Sequence, residues 1–410
     1  MNIGYIMQEG VEVRRPPFNG PANHVRELVS ALRRRGHQVK VLVRLDGRIW
    51  RSEGLVDFEP VTVRWLDRGP LRLFERATRR VQAELRLPYA ALFESVRFAQ
   101  ACTQELSGCG LLYERLGWVA YGGALAARRL GVPFVLEDNG DQLFDLEAKG
   151  IAPAGVQRRL SVGLMRRAVR RADRVVSSGA GWRAQFIRRW NYDPRRITAI
   201  ENGTTLVQLL RRDQLRSFGN DDADSVTLVY VGGFYPWHGV PVLFEALSKG
   251  LANGLRANLI MIGTGDGLPD ARRRAAALGL GGVVTFAGHL EPAAYAPLLA
   301  AADVGLSPYV GWPEFSGLKV LDYKAAGLPT IASGADRHPR TLADGRTGLI
   351  VPPGDVDALC HALTRICGDS TLRRRMGRAA RLEAEATHTW EHTAALLEET
   401  LAQVLRERAS

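Results

Sequence analysis

Thr227-Leu228-Val229-Tyr230-Val231 decides the fold, because this run of aliphatic, β-branched and aromatic residues restarts a pattern that the chain has already run through once. Ahead of it lies a polar stretch of low periodicity containing Asn220-Asp221-Asp222. Behind it the apolar spacing alternates between helix and buried strand: helix 240–250, strand 258–262, helix 270–278, strand 283–287, helix 293–301, strand 304–308, helix 318–326 and strand 330–332. Upstream, Ile3 to Met7 reads as a strand, and the loop Gln8 to Pro21 leads into a helix whose Val25, Leu28, Val29 and Leu32 share one face. Gly36 ends that helix before the next apolar run, Val39 to Val43. Further strand-like runs at Leu111 to Tyr113, Phe134 to Leu136, Arg174 to Ser177 and Ile197 to Ile200 alternate with helical stretches. Strand and helix in alternation mean parallel sheets covered on both faces.

The class is therefore α/β, with two Rossmann-like doubly wound domains, 1–214 and 215–385. The segment 386–410 reads as a helix expected to cross back toward the first domain. Open α/β sheets bind ligands at the carboxyl ends of their strands, so a cleft between the two domains is the expected site.

Composition agrees with a globular enzyme. At 410 residues the chain exceeds what one hydrophobic core covers, and 46% hydrophobic with 24% charged residues excludes disorder along most of its length. The formal net charge of +12 rests on arginine runs such as Arg33 to Arg35, Arg170-Arg171 and Arg272 to Arg274. No zinc-finger spacing, aromatic-basic signature or basic tail accompanies them, which argues against nucleic acid. Cys102, Cys109, Cys360 and Cys367 lack a CxxC spacing and nearby histidines, so buried thiols are expected rather than a metal site. Neither a signal peptide nor an apolar run long enough to span a bilayer is legible, which points to a cytoplasmic protein, peripheral at most to the inner face of a membrane.

The chemistry concentrates in Glu314-Phe315-Ser316-Gly317-Leu318-Lys319-Val320-Leu321-Asp322. A Ser-Gly turn entering a helix exposes unpaired amides at the positive end of the helix dipole, and Lys319 adds a full charge on the first turn. A diphosphate fits both. Glu314 and Asp322 flank that anion site as acceptors for sugar hydroxyls. A sugar on either side of a diphosphate is a sugar nucleotide.

Here the chain resembles glycosyltransferase family 4, whose hallmark is two acids separated by seven residues, followed by a stretch like Ala325-Ala326-Gly327-Leu328-Pro329-Thr330-Ile331-Ala332-Ser333. Gly20, Tyr113-Glu114-Arg115, Glu137-Asp138-Asn139, Glu201-Asn202-Gly203 and Gly263-Thr264-Gly265-Asp266-Gly267 continue the likeness in order along the chain. The resemblance implies a GT-B fold and a retaining, metal-independent hexosyltransferase with no cofactor. Its donor would be a nucleotide-diphosphate sugar, UDP-sugar ahead of GDP-sugar, and its acceptor a sugar, a lipid-linked or a small-molecule hydroxyl. It implies that Glu314 contacts the transferred sugar, Asp322 the ribose, and the segment Phe315, Ser316, Gly317 and Leu318 the diphosphate. Gly20 would approach the diphosphate from the first domain, Gly265 would line the nucleotide pocket, and Gly288-His289-Leu290 would read the base.

Three departures from the family pattern stand out. The second acid is Asp322 rather than glutamate; Gly233 and His238 occupy positions where the family carries arginine and lysine; and Glu137-Asp138-Asn139 replaces a histidine. Lys319, Glu314 and His238 are thus the candidates for catalysis, with His238 giving the diphosphate a hydrogen bond or, if protonated, a charge. Asn139 is either a neutral contact to the sugar or an ordinary loop residue, and Glu137 or Asp138 could face the acceptor. Arg14, Arg15 and Arg115 could meet an anionic acceptor. A sugar-nucleotide epimerase and a non-catalytic sugar-nucleotide-binding protein are the rival readings.

Overall fold

The computed structural model describes residues 1–63, 70–85, 87–148, 150–219, 225–311, 317–334 and 339–409. The polar stretch at 220–224 and the candidate residues Glu314, Phe315 and Ser316 lie outside the described residues. The chain divides into two compact units, Met1–Glu201 with Thr393–Ser410, and Asn202–His392. Residues 206–218 go with the second unit because Leu206, Leu210 and Leu215 are buried in a cluster with Val229 and Tyr323.

In the first unit the elements run β1 (Asn2–Met7), α1 (Gly20–Arg34), β2 (Gln38–Leu45), β3 (Arg48–Glu53), β4 (Glu59–Val61), α2 (Pro70–Glu84), α3 (Leu92–Glu105), β5 (Leu111–Arg115), α4 (Gly122–Leu130), β6 (Phe134–Asp138), α5 (Gln142–Ala148), α6 (Gly155–Arg171), β7 (Arg174–Ser177), α7 (Ala180–Trp190) and β8 (Ile197–Ala199). The sheet order is β4-β3-β2-β1-β5-β6-β7-β8. From β2 to β8 the pairing is parallel. Against the expectation of parallel strands throughout, one edge is antiparallel, where β3 and β4 fold back on β2. That hairpin turns on Asp46-Gly47, both left-handed at φ 51° and 73°, the geometry a two-residue hairpin loop demands. Helix α1 starts where the Asn19 side chain accepts from the Ala22 amide and buries Val25, Leu28, Val29 and Leu32 against the sheet.

The second unit follows with β9 (Val226–Val231), α8 (Val240–Ala252), β10 (Ala257–Ile262), α9 (Leu268–Ala277), β11 (Val284–Gly288), α10 (Pro292–Ala300), β12 (Val304–Ser307), α11 (Leu318–Ala325), β13 (Thr330–Ser333), β14 (Gly348–Val351), α12 (Val356–Gly368), α13 (Ser370–Thr387) and α14 (Trp390–Ala409), whose end belongs to the first unit. Its strands pair in parallel in the order β11-β10-β9-β12-β13-β14. The pleat explains the opening stretch. Leu228 and Tyr230 point into the core shared with α8, α9 and α12, while Val229 points into the core shared with α10 and α11. A central strand covered on both faces has no polar side to show, so it reads as a continuous apolar run.

Each sheet has one place where the strand order reverses, between β1 and β5 in the first unit and between β9 and β12 in the second. Loops leaving the carboxyl ends of those strands part there and leave a crevice.

Candidate functional site

In the second unit the crevice lies beside Gly232-Gly233-Phe234, where the chain leaves β9. Gly263 has φ 138°, and a Cβ on it would lie 1.9 Å from the Gly232 carbonyl oxygen. At Gly265, with φ 145°, a Cβ would lie 2.9 Å from the Phe234 amide nitrogen. The glycines of Gly263-Thr264-Gly265-Asp266-Gly267 therefore press one backbone against another. Phe234 N donates to Thr264 O at 3.1 Å and Gly267 N to Phe234 O at 3.0 Å, which holds the two loops as one wall.

Helix α11 is fixed against this wall by Tyr323, whose hydroxyl accepts from Val231 N at 2.7 Å and donates to Leu306 O at 3.0 Å. The ring occupies the space left by Gly305, where a Cβ would meet it at 2.4 Å. On another face Lys324 is wholly buried and reaches Glu383 at 2.7 Å and Thr341 O at 2.8 Å, tying α11 to α13. Gly317 enters the helix in the left-handed region at φ 55°, and a Cβ there would lie 2.5 Å from Thr341 Oγ1. Glycine is needed for conformation and for room. With its first turn so placed, the amides of Leu318, Lys319 and Val320 have no acceptor within the helix.

Lys319 lies on that first turn, 8% exposed, with its ammonium 4.8 Å from the centre of the Tyr230 ring and 4.7 Å from that of Tyr309. Two aromatic faces steady the cation at the crevice. A Cβ on Gly232 would sit 3.1 Å from Nζ, so the bare backbone at 232 leaves the ammonium its space.

His238 shapes the same corner, but without a charge. Burial, and then the Lys319 ammonium, push its pKa down to about 3, against the hydrogen bond to Gly233 O. Nδ1 lies 2.5 Å from the Gly233 carbonyl, which can only accept, so Nδ1 carries the proton. Nε2 is then a bare acceptor, 3.3 Å from the Tyr309 hydroxyl. In this arrangement the imidazole holds the Gly233 carbonyl and faces the Tyr309 hydroxyl.

Asp322 lies three residues beyond Lys319, on the neighbouring turn of the same side of α11, and is half-buried. One carboxylate oxygen accepts from Thr204 Oγ1 at 2.6 Å and the other from Tyr295 OH at 2.7 Å. Burial pushes its pKa up to about 6, although Thr204 and Tyr295 both pull it down. Neither hydroxyl stood out in the sequence; Thr204 follows Glu201-Asn202-Gly203 directly and could have been noticed there. His289 lies partly exposed, 3.4 Å from Glu291, and Leu290 packs on the α10 core, while Gly263 N donates to Gly288 O at 2.7 Å.

Gly20 opens α1 in the first unit as its first residue, exposed, with Pro21 next to it. Of the Glu137-Asp138-Asn139 triplet, two members are spent internally. Glu137 accepts from Tyr5 OH at 2.5 Å, lies 2.6 Å from His24 Nε2 and 3.9 Å from Arg115. Burial alone would raise its pKa, but His24, Arg115 and Tyr5 outweigh it and hold the carboxylate at about 2. Asp138 accepts from Ser177 at 2.9 Å and is pushed up to about 7 by burial. This corrects the expectation that either acid faces an acceptor. Asn139 differs, since its buried Nδ2 has no hydrogen-bond partner among the described residues. Burial raises the Glu114 carboxyl, which lies against the Gly123 amide of α4, well above the usual carboxylate range. Arg14 is engaged by Glu12 at 2.7 Å and Asp46 at 3.2 Å and stacks over Trp50, which removes it as a free anion binder. The four cysteines are free thiols. Among the described residues no three His, Cys, Asp or Glu side chains converge as metal ligands.

Two parallel α/β units, each with a crevice at its strand reversal, define a tandem Rossmann-like protein. Comparison with known proteins narrows this. Residues 225–369 match the family described as glycosyl transferases group 1, and residues 19–203 match the glycosyl transferase 4-like domain. Among curated relatives, the phosphatidyl-myo-inositol mannosyltransferase of Mycobacterium leprae is 31% identical over 50% of this chain and 54% of its own length. The D-inositol 3-phosphate glycosyltransferase of a Nocardioides species is 28% identical over 90% of this chain and 82% of its own. The match spans about half the length of the mannosyltransferases. Among solved structures, HepE of Anabaena in complex with UDP superposes with a TM-score of 0.70 at 16% identity, covering 98% of this chain and all of HepE. The sucrose-phosphate synthase of Thermosynechococcus elongatus gives 0.70 at 22% identity over 99% of both chains. These structures share the GT-B fold. The chain belongs to the group 1, family 4 type of glycosyltransferases.

Proposed function

We propose that this glycosyltransferase moves a hexose or N-acetylhexosamine from a nucleotide-diphosphate sugar to an acceptor hydroxyl, with retention of anomeric configuration and without a metal ion. What carries the reading is Lys319, held between Tyr230 and Tyr309 on the first turn of α11 beside the open backbone of Gly232. The ammonium and the amides of Leu318 and Val320 stabilise the charge that grows on a departing diphosphate. No enzymic nucleophile is needed when the acceptor attacks from the face the diphosphate leaves and a leaving-group oxygen takes its proton. The protein then contributes position and charge. Asp322 accepts from the ribose, and Glu314 accepts from hydroxyls of the transferred sugar.

UDP is the favoured nucleotide, with GDP next; UDP is what the related HepE structure holds. The names of the relatives favour an inositol-bearing or lipid-linked acceptor, and with it work at the cytoplasmic face of a membrane. Incubation with α-configured UDP- and GDP-sugars in excess chelator, followed by NMR of the product, tests the reading. An α-linked product supports it; a β-linked product, or a free epimer formed without acceptor, overturns it.

A further inference from the structure

Helix α2 is built inside out. A surface helix normally turns its apolar stripe to the core. Here the inward stripe is polar: Glu75 is buried and bonded to Arg97 at 2.7 Å and Arg79 at 2.9 Å, Arg79 reaches Glu94 at 2.6 Å, and Gln82 donates to Pro88 O at 2.7 Å. The outward stripe is apolar, with Leu73 66%, Phe74 62% and Val81 49% exposed, and Leu85 continues it at 64%. These ion pairs fix the helix in this orientation, since rolling it over would bury the arginines and break each pair.

The same surface continues onto α6. Gln157 clamps the main chain of Tyr89, accepting from its amide and donating to its carbonyl at 2.8 Å, so the start of α6 lies against the loop after α2. Val156 and Leu160 are exposed there, and Arg159, Arg166, Arg167, Arg170 and Arg171 carry the exposed face on along the helix. No acidic residue occurs between Gly155 and Arg171, and these five arginines make no ion pair among the described residues. An apolar strip bordered by unopposed arginines matches a surface that offers hydrocarbon and negative charge together.

We infer that α2, the loop residues 87–91 and α6 dock the first unit onto an anionic lipid surface, with Leu73, Phe74, Val81 and Leu85 entering the headgroup boundary and the α6 arginines on the phosphates. A second copy of this chain is disfavoured because it would bring arginine against arginine, and nucleic acid leaves the protruding leucines and phenylalanine without a partner. No described helix is long and apolar enough to cross a membrane, so attachment is lateral. The inference rests on the proposed lipid-linked acceptor for its purpose and on the surface itself for its physics.

The test is co-sedimentation of the full chain with phosphatidylcholine vesicles, with and without phosphatidylglycerol, for the parent, Phe74→Glu/Val81→Glu and Arg159→Glu/Arg166→Glu. The parent is expected to bind the anionic vesicles, and more than about tenfold less to neutral ones or after charge reversal, because each arginine at such a surface contributes about fivefold. The apolar pair should weaken binding about as much, and salt should weaken what remains. Equal binding of parent and variants, no binding to anionic vesicles, or a concentration-dependent dimer that Phe74→Glu/Val81→Glu abolishes would each overturn it. Calorimetry with UDP-sugar on the same variants should be unchanged, which shows that they are folded. If the parent binds vesicles but no sugar nucleotide, the proposed function fails and the docking surface stands.

Discussion

Replacing Asp322 by asparagine should make the second unit more stable at neutral pH while weakening its function. Burial holds the Asp322 carboxyl at a pKa of about 6. An unfolded aspartate titrates near 3.9, so between about pH 4 and 6 the folded chain keeps a proton that the unfolded chain has released. Stability therefore falls as pH rises through that window. The loss totals about 3 kcal/mol, at about 1.4 kcal/mol per pKa unit. Asparagine carries no charge to desolvate, and it can accept from one of the two hydroxyls of Thr204 and Tyr295 and donate to the other. Because those bonds are weaker to an amide than to a carboxylate, a gain of about 1–3 kcal/mol is expected at pH 7.5, shrinking to within about 1 kcal/mol of the parent at pH 4. Hydrogen exchange of the α11 and β13 amides reads this without assuming that both units unfold together. A variant less stable than the parent at pH 7.5, or one with the same advantage at both pH values, would refute the reasoning. Donor binding should weaken in the same variant, the usual balance between stability and a functional charge.

Gly263→Ala should destabilise the second unit by about 3 kcal/mol or more, from its left-handed φ and the collision with Gly232 O, and lower donor affinity; unchanged exchange at β10 would contradict this. Lys319→Met should raise the His238 pKa, because it removes the second of the two causes that depress it, while burial keeps it below the ordinary imidazole value; NMR of the ring carbons reads the shift, and an unmoved titration would contradict the geometry. Glu137→Gln should cost the first unit about 3 kcal/mol by leaving Arg115 without its nearest carboxylate. Since the Glu137 pKa is lowered to about 2, its stabilisation is complete above the unfolded glutamate value of about 4.3 and is lost as pH falls toward 2; thermal melts of parent and variant should converge at acid pH, and parallel curves would contradict this.

The doubly wound pattern was legible because central parallel strands such as β9 are buried on both faces and show as apolar runs, and because helices such as α1 end on glycine. The antiparallel edge was missed although Asp46-Gly47 announced it. Its strands are short, and β3 exposes Arg48, Arg51 and Glu53 to solvent. At the site, Gly317 and Lys319 could be picked out by type and spacing, whereas Tyr230, Tyr309 and Tyr295 could not. They come from three separate elements, and only the fold brings them to α11. The charge state of His238 was equally hidden, since it depends on burial and on a carbonyl of its own loop. Helix α2 reads as an ordinary amphipathic helix in sequence; which face turns inward was decided by Glu94 and Arg97 on α3.

The most direct test of the central claim, that Lys319 on the first turn of α11 holds the donor diphosphate, is calorimetric titration of the parent, Lys319→Ala and Glu314→Gln with UDP- and GDP-sugars in chelator. Loss of a buried charge from an anion site costs about 3 kcal/mol, so Lys319→Ala should bind more than about 100-fold more weakly. Unchanged affinity in both variants would contradict the assignment of the site.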